Sequence, residues 1–114
     1  MKWIALLTVI AIAGCNRAAE RQNERDRVSI TELVVERYVA EWYPQWSLRH
    51  PEKACPASLK EIAAELEAPD PVDAWKHELI MYCGTDVPAG ARSFAVRSAG
   101  PDGKPETDDD IKSW

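Results

Sequence analysis

Ser58-Leu59-Lys60-Glu61-Ile62-Ala63-Ala64-Glu65-Leu66, then Leu79-Ile80-Met81-Tyr82 and Ser93-Phe94-Ala95-Val96-Arg97, together decide the fold class of this chain. In the first stretch Leu59, Ile62, Ala63 and Leu66 fall at i, i+3, i+4 and i+7, one face of a helix, with Ser58 and Glu61 as cap residues and Pro69 as a stop. In the last, Phe94 and Val96 alternate with Ser93, Ala95 and Arg97, which is the period of a strand, and residues 84–90 join it to the 79–82 run as a hairpin. Working outward, Ser29-Ile30-Thr31-Glu32 has a capping-box pattern and introduces Ile30, Val34, Tyr38 and Trp42 at helical spacing, flanked by Leu33, Val35 and Val39. This predicts a first helix ending near Pro44. Tyr43, Trp46 and Leu48 then carry apolar content into an irregular loop, up to His50, that packs on the domain. The fold class is α+β: an N-terminal helix, a short second helix, a small antiparallel sheet and a C-terminal loop.

The first fifteen residues read differently. One positive charge, Lys2, precedes a short apolar run that ends in Ile12-Ala13-Gly14-Cys15, and the very polar residues 16–26 follow. That is the anatomy of a secretory signal. A spanning helix needs about 20 apolar residues, and this run is shorter. Ile12-Ala13-Gly14-Cys15 resembles the lipobox of bacterial lipoproteins, which implies removal of residues 1–14 and lipidation of Cys15; an uncleaved signal anchor is the plainer alternative. Acyl chains contribute about 0.8 kcal/mol per buried CH₂, so such a terminus holds a protein on a bilayer without any spanning segment. The expected location is the cell envelope, lipid-anchored and extracytoplasmic, with the membrane as partner through the anchor. Residues 15–27 form the lipidated terminus and a polar linker, or a solvated extension of the next helix, and residues 28–114 form one globular domain.

With 14 Lys+Arg against 19 Asp+Glu the chain is net acidic, which removes the electrostatic footprint of a nucleic-acid binder. Of its three cysteines, Cys15 is assigned to lipid, leaving Cys55 and Cys83 as an even pair in an oxidising compartment. A Cys55–Cys83 disulfide is the expectation, against two separate buried thiols. The two histidines, His50 and His77, belong to no metal or triad motif, and no G-x-S-x-G, H-E-x-x-H or glycine-rich phosphate loop occurs. Neither an enzyme nor a nucleotide-binding protein is expected. Trp42, Trp46, Trp75 and Trp114 suit the core and framework of a small domain better than a glycan platform.

Residues 98–110 hold two glycines, two prolines and four aspartates, with Asp102 ahead of Asp108, Asp109 and Asp110 and flanked by Gly100 and Gly103. Carboxylates crowded into one loop repel each other, and a hard divalent cation, calcium above all, relieves that repulsion through six to eight oxygen ligands. By composition such a loop is more often merely solvated than metal-bound, and the alternating spacing of an EF-hand is missing.

Ser98-Ala99-Gly100-Pro101-Asp102-Gly103, Thr107-Asp108-Asp109-Asp110-Ile111 and the terminal Trp114 resemble the calcium loop that closes the major (G-type) pseudopilins of type II secretion. Asp73-Ala74-Trp75 stands where that family has Asp-Pro-Trp, Tyr82 fits the strand that follows, and Cys55-Pro56-Ala57-Ser58-Leu59 resembles its Tyr-Pro-Thr and short-helix region. The resemblance covers most of residues 28–114. It implies a calcium ion held by the carbonyl of Ala99 and by Asp102, Asp109 and Asp110, with Asp108 as a spare ligand, and a structural role beside secretion or pilus-like components. The chain departs from the family in its lipoprotein signal, which stands in place of a prepilin-peptidase site and long assembly helix. Lys76-His77-Glu78 also replaces a Gly-Asn-Pro turn, and the cysteine pair is extra. A free-standing envelope lipoprotein that binds an unrelated envelope protein or glycan is the alternative reading of those departures.

Overall fold

Helix accounts for the N-terminal part of the protein, as a computed structural model shows; it describes residues 2–114, with side chains from Asn16 onward. Helix α1 (Lys2–Arg37) passes through one π-helical turn (Tyr38–Trp42) directly into α2 (Tyr43–Arg49). The polar residues 16–27 are therefore an extension of the helix. The expected end near Pro44 is corrected: the helix continues to Arg49. Proline lacks an N–H, and its ring clashes with the carbonyl four residues back. Here the N–H of Tyr43 bonds the carbonyl of Tyr38, five residues back, which widens the helix just ahead of Pro44. Pro44 then occupies the first turn of α2, where an N–H has no obligatory partner.

The buried face is Thr31, Val35, Tyr38, Trp42 and Trp46, rotated by about one residue from the face expected through Ile30 and Val34. Ile30 and Leu33 are 57% and 55% exposed. A threonine takes the inward position because its Oγ1 accepts the N–H of Ala74 at 3.1 Å, so a polar residue stands where periodicity looks for an apolar one. Trp46 is buried on α2 and Leu48 is almost wholly exposed, so the expected irregular loop before His50 is helix instead. Tyr38 donates its hydroxyl proton to the carbonyl of Pro69. Burial first, and the charge of Asp70 second, push its phenol up to about 12.

Helix α3 (Leu59–Leu66) forms over the predicted stretch, with Leu59 and Ile62 buried. The Ser58 hydroxyl makes no capping bond. Glu61 reaches back instead to accept the N–H of Ala57 at 2.6 Å and pairs with Lys53 at 3.1 Å. Those two contacts, the Ala57 N–H first, hold its carboxyl below the usual carboxylate range. The helix stops at Glu67, which is left-handed (φ 54°), two residues ahead of Pro69.

Three antiparallel strands complete the domain in the order β1 (Ile80–Cys83), β2 (Phe94–Ser98), β3 (Ile111–Lys112). Ile80 faces Arg97, Tyr82 faces Ala95, and Ser98 faces Ile111. Strand β2 lies between the other two and is buried along its whole length, not on alternate residues only. Phe94 and Val96 join the core with Tyr38, Trp42 and Trp46, while Arg97 lies on the opposite face beneath the rings of Tyr82 and Trp114. At two residues β3 is too short to carry a readable period in the sequence.

Cys55 and Cys83 form a disulfide with Cα atoms 5.9 Å apart, which ties the segment before α3 to the end of β1. It closes a loop across a sequence separation of 28 residues. In the chain-entropy model a loop of that length contributes about 3–4 kcal/mol. The Cys55→Ser, Cys83→Ser double variant is expected to lose that much in urea unfolding; a loss under about 1 kcal/mol would show that the core alone holds these segments together. The expected signal segment and Cys15 lie outside the residues whose side chains are described. Among the described residues no helix is long and apolar enough to cross a membrane.

Candidate functional site

Asp73, in the connection between α3 and β1, has a side chain fully withdrawn from solvent. Its Oδ1 accepts the N–H groups of Trp75 and His77 at 3.0 and 2.9 Å, and its Oδ2 accepts the Ser98 hydroxyl at 2.8 Å. Ser98 Oγ in turn accepts the N–H of Gly100 at 3.0 Å. One buried carboxylate thus fixes both its own turn and the point where β2 hands over to the acidic loop. Each of these donors would otherwise be a partly or wholly buried polar group without a partner.

Gly100 turns the chain with φ +76°, and a Cβ there would lie 2.4 Å from the carbonyl oxygen of Asp109. The two ends of the loop therefore meet at a glycine. Gly103 is left-handed as well, and the His77 ring packs where its Cβ would be, at 3.0 Å. Gly103 N–H closes the turn on the Gly100 carbonyl at 3.1 Å. Asp102 Oδ1 accepts the N–H of Lys104 at 2.9 Å, and the N–H of Asp102 donates to Asp109 Oδ2 at 3.1 Å. Thr107 Oγ1 stands among the Lys104 carbonyl (2.9 Å), the Asp109 carboxylate and Asp110 Oδ1 (3.1 Å), with one proton to share. Asp110 Oδ2 accepts the N–H of Glu106 at 2.6 Å. The Thr107 hydroxyl above all, together with the N–H of Asp102, holds the Asp109 carboxyl below its ordinary range.

The result is a convergence of three carboxylates. Asp102, Asp109 and Asp110 each present one oxygen, and all three oxygens lie within 4.8 Å of one another. Calcium bonds oxygen at about 2.3–2.6 Å, so oxygens within 4.8 Å of one another could reach a single ion of that kind. Ala99 is buried immediately ahead of Gly100. Asp108 is exposed and is not one of the three converging carboxylates.

No family model, curated protein or solved structure matches the chain. His50 lies away from the loop, in contact with Glu65 at 2.7 Å and stacked on Trp46, whereas His77 borders it, with its ring against Gly103 and its Nδ1 3.6 Å from Asp73 Oδ2. The acidic residues of the cluster were visible in sequence. The residues that shape it, Asp73, Ser98, Thr107 and Arg97, carried no such signal. Asp73, Ser98 and Thr107 lie within the stretches that carry the family resemblance, but nothing local marks them as hydrogen-bonding partners of the loop; the bonds of Asp73 to Trp75 and His77 follow the Asx-turn pattern that an aspartate ahead of a tight turn can adopt.

Proposed function

We propose that this chain is an envelope lipoprotein whose domain is pseudopilin-like, binds one structural calcium ion through the C-terminal loop, and acts by interaction beside a secretion or pilus-like assembly. The convergence of Asp102, Asp109 and Asp110 at the glycine-closed loop carries the reading. The ion would be held by these three carboxylates and the Ala99 carbonyl, and it would supply the countercharge that lets the loop stay closed. Calcium in this role stabilises the folded state by mass action, by about 2.7 kcal/mol at a hundredfold excess over Kd. In a domain of this size that is a rise in Tm on the order of 10 °C. Thermal melting of the full chain in detergent, first with chelator and then with calcium, tests it. Asp102→Ala should abolish the difference, and identical melting curves for the unmodified chain would sink the calcium reading. Crosslinking in intact cells tests the partner: recovery of a secretion component supports the assembly role, and its absence favours a free-standing lipoprotein.

A further inference from the structure

We infer that Arg97 is a fourth member of this site, a tethered cation that sets its charge for a divalent ion and competes with that ion for Asp110. The inference rests on the calcium reading of the loop and adds what determines its selectivity. Arg97 leaves β2 on the face away from the helix, and its side chain is only 10% exposed. Its guanidinium lies 5.5 Å from the centre of the Tyr82 ring and 5.2 Å from that of Trp114. Nε stands 3.7 Å from Asp110 Oδ2, whose side chain is 1% exposed. Nε and Nη1 are both buried and make no hydrogen bond.

A guanidinium beside a buried carboxylate ordinarily closes to about 2.7–2.9 Å in a two-pronged hydrogen bond. Here that geometry is not reached. Asp110 Oδ2 already accepts the Glu106 N–H, and Oδ1 is within reach of the Thr107 hydroxyl, so the loop itself orients the carboxylate. Arg97 thus contributes positive charge at close range while leaving oxygen lone pairs for another cation. Three carboxylates and one guanidinium leave two negative charges, the complement of one divalent ion. Without Arg97 the same cage would carry three and would favour a trivalent ion. In low-dielectric surroundings like charges a few ångströms apart repel strongly, so Arg97 also limits how tightly any cation binds.

Isothermal titration of the full chain in detergent with calcium and with terbium, comparing Arg97→Met and Arg97→Lys with the unmodified protein, tests this. Arg97→Met is expected to bind calcium on the order of tenfold more tightly, with a larger gain still for terbium, because a repulsive charge is removed. Arg97→Lys loses the planar contact with the two rings but keeps the charge, and should stay within about threefold of the unmodified protein. If Arg97→Met does not fold, Arg97→Gln retains a polar head without the charge and is judged by the same criteria. Calcium binding by the unmodified chain, with equal or weaker binding by the neutral variant, would overturn the role of Arg97 and leave the calcium site standing. Binding by none of the proteins would remove the calcium reading and this inference together.

Discussion

Replacing Asp73 with alanine is expected to lower the free energy of unfolding by about 3–5 kcal/mol. The carboxylate is the acceptor for three donors, the N–H groups of Trp75 and His77 and the hydroxyl of Ser98, and alanine offers none of them a substitute. A buried donor left without a partner costs about 1–3 kcal/mol. Trp75 and His77 are half-buried, so water relieves part of that cost at the turn, while Ser98 is fully buried. Asp73→Asn retains one side-chain acceptor and should lose less, about 2 kcal/mol. Urea unfolding of both variants measures the order. Equal losses would mean that the side chain matters by filling space, not by accepting hydrogen bonds.

Gly100→Ala should cost about 2–4 kcal/mol and remove any response to calcium. Its φ of +76° is a conformation in which a side chain costs about 1 kcal/mol, and here the added methyl would also meet the Asp109 carbonyl oxygen at 2.4 Å and its carboxyl carbon at 3.1 Å. The first of those is backbone, which cannot swing aside. Relief requires the loop to open where its two ends meet, and opening carries Asp109 away from Asp102. Gly90→Ala is the matched control, because φ is +89° there too but the nearest atom to an added Cβ is 3.9 Å away. That variant should lose about 1 kcal/mol and keep the calcium response. A similar loss in both variants, with the calcium shift intact in both, would show that the loop tolerates rearrangement at its neck.

What was legible in the chain depended on short-range spacing. Helix α3 and its cap glutamate, the two longer strands, the pairing of Cys55 with Cys83 and the crowding of aspartates near the C-terminus are all written within windows of a few residues or in the parity of a count. The first helix was legible in kind but not in extent. Pro44 is a stop signal unless the preceding turn widens, and the π turn is held in place by burying Tyr38, Trp42 and Trp46, which no local rule weighs.

The sequence by itself therefore determined the α+β class, the disulfide and the presence of a glycine-closed acidic loop, because periodicity, turn chemistry and composition act between near neighbours. Only the tertiary structure decided which helix face turns inward, where β3 pairs, and what shapes the loop. Those outcomes rest on bonds between distant residues, Thr31 with Ala74 across 43 positions and Asp73 with Ser98 across 25, and on Arg97 meeting Asp110 beneath two aromatic rings. A polar side chain becomes a core residue only when folding brings its partner to it, and the identity of that partner is a property of the assembled fold.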